Sequence, residues 1–222
     1  VRATAAKAVE SLGSEASVGY LLPLLNDKDE FVRRETAYAL GHTRSRTATS
    51  ALSERLLTDK EDGVKAAAAV ALGEIADEAA VVPLVQALSL TKKPNPFVLR
   101  AAAVALGKIK SRAGTAALIA TLRNDKLPSD VRREAARSLG LIGDPAAAPA
   151  LQAASINPDP YLAEIAQHGR SVREDLKGQE NAARRAYGIY EALKTLHDAQ
   201  LPGPLDRYPD AGWVLHGDFV KG

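Results

Sequence analysis

The sequence predicts an all-α fold: a right-handed α-solenoid of stacked helical hairpins, closed by a C-terminal capping helix and an extended tail. Three observations predict it. A ten-residue phrase recurs, as Val32-Arg33-Arg34-Glu35-Thr36-Ala37-Tyr38-Ala39-Leu40-Gly41, Val64 to Gly73, Val98 to Gly107, and Val131-Arg132-Arg133-Glu134-Ala135-Ala136-Arg137-Ser138-Leu139-Gly140. Its closing glycines, Gly41, Gly73, Gly107 and Gly140, lie 32, 34 and 33 residues apart. Units of that size cannot bury an apolar face alone and must stack on their neighbours. Within each phrase, counting the valine as zero, positions 0, 4, 7 and 8 carry the core, which is the 3.6-residue period of a helix.

Composition agrees. The 222 residues are 46% hydrophobic, 25% charged and 5% aromatic, and alanine supplies much of the hydrophobic share. Alanine is the best helix former and lets helices pack closely. A formal charge of +2 gives no argument for nucleic acid or membrane. With no cysteine, disulfides, zinc thiolates and thiol catalysis are excluded. No apolar run reaches the roughly 20 residues that span a bilayer. No signal peptide is visible, and a chain that opens at Val1 is expected to have a processed or trimmed start. The cytoplasm is slightly favoured as the compartment.

Val1 to Gly13 reads as the second helix of a truncated first repeat, ending at a glycine C-cap. The next repeat has a first helix Val18 to Leu25, a turn Asn26 to Asp29, and a second helix from about Phe31 to Thr43; its first helix is about one turn short. The third pairs Ala48 to Leu57 with Val64 to Ala76, and the fourth Ala80 to Leu90 with Phe97 to Lys110. The fifth pairs Gly114 to Leu122 with Asp130 to Ile142. Asp144-Pro145 opens a sixth, Ala146 to Ala154 followed by Tyr161 to Leu176, with His168-Gly169 standing for Leu-Gly. Pro83 and Pro149 are expected to kink their first helices. The domains are thus residues 1–176, a solenoid of five to six units; 177–200, a capping helix; and 201–222, an extended tail rich in proline and glycine.

The pattern Ala-x-x-Pro-Leu-x-x-x-Leu, an Asp-bearing turn, then Val-Arg-x-x-Ala-x-x-Ala-Leu-Gly-x-Ile resembles HEAT repeats of the bacterial, phycobiliprotein-lyase-like type over residues 1–176. Val98-Leu99-Arg100 departs by moving the basic residue one place. The resemblance implies that second helices line the concave wall, and that the basic residue at position 1 (Arg33, Lys65, Arg132) makes a ladder with turn carboxylates such as Asp29, Asp62 and Asp130. Function does not follow from it, since such folds serve as scaffolds, adaptors and lyase subunits.

Positions 2, 3 and 6 face away from the repeat core and would form that wall. Position 6 reads Glu10, Tyr38, Val70, Val104, Arg137 in order; positions 2 and 3 add Ala66/Ala67 and Arg100/Ala101 in the middle and Arg34/Glu35 and Arg133/Glu134 at the ends. The middle is apolar and the ends charged, so the predicted partner-binding residues are Tyr38, Ala67, Val70, Arg100, Val104 and Arg137. The competing expectation is that Val70 and Val104 pack sideways between helices. Tyr208 and Trp213 of the tail are the second candidate surface, since Tyr and Trp dominate interface hot spots; they could equally fold back on the chain. No catalytic, cofactor or metal site is predicted: the histidines lack metal-like spacing, and no G-x-S-x-G turn or phosphate-binding loop occurs. The expected function is a non-catalytic scaffold or adaptor with protein partners in a complex. The alternatives are a bilin-lyase-like accessory subunit and a nucleic-acid-binding HEAT protein. The second is weakened by glutamates among the cations and by scarce aromatics.

Overall fold

The computed structural model describes residues 15–89 and 95–169. Among these residues every regular element is helical. The second helices are α2 (Glu30–Thr43), α4 (Asp62–Ile75), α6 (Pro96–Ile109), α8 (Ser129–Ile142) and α10, helical over 160–169; the first helices are α1 (Val18–Leu21), α3 (Thr49–Thr58), α5 (Val81–Leu88), α7 (Thr115–Arg123) and α9 (Ala148–Ala154). The phrase therefore marks the even helices, as its period required. The residues expected to form the Val1 to Gly13 helix, the capping helix and the tail lie outside the described residues.

Side-chain caps explain where helices begin. Asp29 and Asn95 precede α2 and α6, and each accepts the backbone N–H two residues on, at 2.9 Å. Each first helix opens with a short 3-10 turn, such as Arg46–Ala48 before α3 and Pro145–Ala147 before α9, except that in the shortened second repeat the 3-10 turn Leu22–Asn26 also ends it. This corrects the role given to proline. The 3-10 turn precedes α3 and α7, which have no proline, just as it precedes α5 and α9, so Pro83 and Pro149 do not cause the break. They sit within the first turn of the following α-helix, where a missing N–H costs little.

The glycines of the phrase lie inside their helices and not at the ends. Gly41 and Gly73 are each followed by two more helical residues. What they allow is contact. A Cβ on Gly41 would stand 2.8 Å from the Cα of Ala71, and one on Gly73 2.8 Å from the Cα of Ala105. On Gly107 it would meet Ser138 Oγ at 2.5 Å, and on Gly140 the Cα of Gly169 at 2.8 Å. So position 9 of one repeat rests on position 7 of the next, and position 7 is small each time. This also corrects the register of the last repeat. Gly169 occupies position 7, with Leu162 at position 0 and Ala166 at position 4, both fully buried. His168-Gly169 does not replace Leu-Gly.

The helices end where the chain turns left-handed. Arg44 (φ 53°), Ala76 (φ 54°), Lys110 (φ 59°) and Gly143 (φ 67°) follow α2, α4, α6 and α8. Only the last is a glycine, the residue that takes this conformation without strain.

Buried leucines and alanines of both helix sets make one continuous core. Successive second helices pack on one another much more extensively than successive first helices do. The more extensive packing lies on the side of the second helices, the side expected to form the concave wall.

Polar contacts tie neighbouring turns. Arg33 donates from Nε and Nη2 to Asp59 at 2.8 and 2.9 Å, and from Nη1 to the carbonyl of Asp27 in its own turn at 2.9 Å. Asn95 Nδ2 donates to Asp62 at 2.8 Å, Arg100 stands 3.9 Å from Asp130, and Arg133 donates twice to Asp159 at 3.0 and 2.8 Å. The ladder exists, but position 1 carries only its first rung. Lys65 pairs with Asp62 of its own helix at 3.6 Å, and Arg132 donates to the Leu122 carbonyl at 3.1 Å. Asp59 is nearly inaccessible. Burial opposes its ionisation, but the Arg33 guanidinium and the Glu61 N–H outweigh burial and hold it below the usual aspartate range. The same hydrogen bonds raise Arg33 above its ordinary value against the cost of desolvation.

This packing sets an order of stability among variants of the glycines and of the left-handed alanine. Gly73→Ala should lower stability by about 1–3 kcal/mol, because its Cβ meets backbone. Gly19→Ala should raise it slightly, because nothing lies within 4 Å of the added carbon. Ala76→Gly should raise it by about 1 kcal/mol by relieving a left-handed alanine. Thermal melts of the three variants check the order. Asp59→Ala should cost about 3–5 kcal/mol near neutral pH by stranding Arg33. A depressed carboxylate stabilises fully above its unfolded value of about 3.9 and loses that contribution as pH falls through its folded value. The gap between wild type and variant in urea midpoints should therefore be full at neutral pH and close in acid.

Candidate functional site

On a second helix, positions −1, 2, 3, 6 and 10 fall along one side, because steps of three and four return to the same face. Position 6 is partly open in each of the four phrases. Tyr38, Val70 and Val104 are half-buried and Arg137 is exposed. Arg100 is also exposed, at position 2. Ala67 is not on the surface: it is fully buried within the core. Ala67 packs inside the core cluster, whereas Ala101 at the same position of α6 only borders that cluster and stays half-buried. Ala66 is half-buried and takes its place on the wall. Tyr208 and Trp213 lie outside the described residues.

The wall is therefore a shallow trough floored by Ala66, Val70, Ala101 and Val104. Its ends carry charge, as read from the sequence: Arg34 pairs with Glu35 at 2.9 Å, and Arg137 with Glu134 at 3.5 Å.

Its two long edges are not evident from the phrase. Along the turn side, position −1 holds Phe31, Phe97 and Tyr161, all exposed, in alternate repeats; Gly63 and Asp130 stand between them. Arg34 lies over the Phe31 ring at 5.1 Å and Arg133 over the Tyr161 ring at 4.9 Å, both within cation–π range. A phrase that begins at its valine leaves out the residue before it. Aligning that one residue between repeats is enough to reveal the aromatic row.

The opposite edge, position 10, holds His42, Glu74, Lys108 and Leu141. Lys108 donates to Glu74 of the preceding repeat. This hydrogen bond, against some desolvation and with help from the Lys108, Arg44 and His42 charges, holds Glu74 below the usual glutamate range. Asp159 is likewise lowered, first by the hydrogen bonds from Arg133. Such shifts come from structural pairs and do not poise any group for proton transfer near neutral pH.

Between α8 and α10 a groove of 590 Å³ opens, rimmed by Arg137, Tyr161, Glu164 and His168. Its floor is Gly140 and Gly169, the one seam among the described residues with glycine on both sides. Glu164 and His168 are four residues apart and both face it, a pairing that a forward search from each histidine overlooks. Among the described residues no three His, Cys, Asp or Glu side chains gather as a metal ion would need. No described helix is long and apolar enough to cross a membrane.

Comparison with known proteins agrees with this architecture. HEAT repeats match residues 1–73, 52–128 and 84–169. No curated protein matches the chain. Among solved structures, the complex of CpcE and CpcF of phycocyanin lyase from Nostoc sp. PCC7120 is similar with a TM-score of 0.62 and 23% identity, over 70% of this chain and 64% of that one. Human deoxyhypusine hydroxylase in complex with glycerol is similar with a TM-score of 0.51 and 19% identity, over 78% of this chain and 79% of that one. A designed armadillo repeat protein gives a TM-score of 0.51 and 18% identity, over 77% and 92%. At these identities the likeness is one of fold. Three overlapping matches that run from residue 1 to residue 169, on a stack of helical hairpins joined by one recurring seam, place the chain in the HEAT-repeat family.

Proposed function

We propose that the chain is a non-catalytic interaction scaffold that holds a protein partner on its concave wall. The observation that carries this reading is the trough itself: Ala66, Val70, Ala101 and Val104 form an apolar floor beside exposed Phe31, Phe97 and Tyr161. Monomeric surfaces rarely leave apolar groups contiguous, and interface cores are rich in aromatics and arginine. The wall cations support a protein partner over nucleic acid. Arg34, Arg100, Arg133, Arg137 and Lys108 each stand beside a carboxylate of the chain, so the wall is not the continuous cationic stripe that tracks a phosphate backbone.

A second reading draws on the groove between α8 and α10. Its 590 Å³ falls within the range of about 300–1,000 Å³ typical of small-molecule sites. In that reading the chain is an accessory subunit of the bilin-lyase kind, acting on a client protein, and one of its solved structural neighbours is a phycocyanin lyase complex.

The first reading expects Val70→Glu combined with Val104→Glu to abolish recovery of the partner that co-purifies with the wild-type protein, with the helical circular dichroism kept. Undiminished recovery would remove the wall as the contact surface. The second expects added bilin to shift in visible absorbance with the wild-type protein and not with Arg137→Glu. An unshifted spectrum counts against it.

A further inference from the structure

Given the scaffold reading, on which this inference rests, the dimensions and charge of the trough constrain its occupant. Each long edge is a row of side chains at a fixed position, −1 on the turn side and 10 on the other. Eleven residues separate them, about 16 Å at 1.5 Å per residue. An α-helix with its side chains is about 10–12 Å across and fills that width. A single extended strand, with neighbours about 4.8 Å away in a sheet, would leave most of it open. The floor is made of small side chains, Ala66 and Ala101 beside Val70 and Val104, so it admits a bulky cylinder close to the backbone of α4 and α6. One edge is aromatic and the other polar, which suits an occupant with one apolar and one charged side.

The exposed charge has a sign. In the pairs along the wall the cation is the more accessible partner: the Arg34 side chain is 39% exposed against 19% for Glu35, Lys108 42% against 33% for Glu74, and Arg137 58% against 27% for Glu134. Arg100 and Asp130 are about equal, at 49% and 48%. In three of these four pairs the cation is the group more open to a partner's carboxylates.

We propose that the concave trough binds an amphipathic α-helix with acidic flanks, supplied by a partner protein and laid along the stack across α2, α4, α6 and α8. Its apolar stripe rests on Val70, Val104 and the aromatic edge, and its carboxylates meet Arg34, Arg100 and Arg137.

The test uses the full chain and three labelled 18-residue peptides: a Leu/Glu sequence with leucines at helical spacing, the Leu/Lys counterpart, and a Leu/Glu isomer with leucines in strict alternation. Fluorescence anisotropy should give the helical Leu/Glu peptide at least tenfold tighter binding than the other two, with a gain in helical circular dichroism on binding. Val70→Glu with Val104→Glu should weaken it at least tenfold. Arg100→Glu with Arg137→Glu, both at exposed positions that leave the core intact, should reverse the preference toward Leu/Lys. Equal binding of all three peptides, preference for the alternating isomer, or an unchanged preference in the charge-reversed variant would overturn the proposal. A photo-reactive benzoylphenylalanine at position 104 separates this from the scaffold reading. If a native partner cross-links there while the helical Leu/Glu peptide does not bind, the helix is wrong and the scaffold stands. If neither contacts the wall, both are wrong.

Discussion

The stack depends on one close approach, repeated. At position 9 of each second helix the chain has no side chain, and the next second helix comes in until its position 7 touches backbone. At three of the four described seams a Cβ would lie 2.8 Å from a neighbouring Cα, and at Gly107 it would strike the Ser138 hydroxyl at 2.5 Å. Real carbon atoms do not sit so close, so glycine is the one residue that permits the spacing. Small residues at position 7, Ala71, Ala105, Ser138 and Gly169, complete it. Ser138 keeps its hydroxyl there by donating to the Ala103 carbonyl at 2.8 Å, so a buried polar group in the seam is satisfied.

The wall follows from that seam. First helices carry leucines at their buried positions and pack on one another less extensively than the second helices do. Stacking the second helices gathers the residues at positions 2, 3 and 6 onto one face. It also brings the turns into register, where Arg33 reaches Asp59, Asn95 reaches Asp62 and Arg133 reaches Asp159. These contacts differ in chemistry and in phrase position but serve the same purpose, holding adjacent turns together. In a buried pair such as Arg33 and Asp59 the mutual attraction is offset by the cost of taking both charges out of water, so the penalty is felt when one partner is removed.

The wall that results has a graded surface. The half-buried Ala66 and Ala101 leave the middle low beside the bulkier Val70 and Val104. Residues outside the phrase supply the relief: Phe31, Phe97 and Tyr161 on one side, His42, Glu74, Lys108 and Leu141 on the other. Arginines lie over two of the rings and keep their charge in water while covering apolar surface.

The sequence by itself determined the hairpin stack, the helix order and the buried stripe at positions 0, 4, 7 and 8, though not the burial of position 5 (Ala37, Ala69, Ala103 and Ala136). A period near 33 residues and a 3.6-residue stripe leave little else that a chain can do with them. It also placed Val70, Val104, Arg100 and Arg137 off the core stripe, because helix geometry alone fixes which side of a helix a residue occupies, while Tyr38 packs half-buried against the core. Tertiary structure decided the rest, where a residue's fate depends on its neighbour in the next repeat. It buried Ala67 inside the core cluster yet left Ala101 half-open on its border at the same position. It moved Gly169 to position 7, where only the contact with Gly140 reveals its role. It gave the turn ladder to Arg133 where the phrase pointed to Arg132, because reach across a seam depends on how the repeats stack and not on spacing along the chain. The aromatic edge became a surface for the same reason: three residues at position −1, far apart in sequence, form one row only when the repeats are stacked.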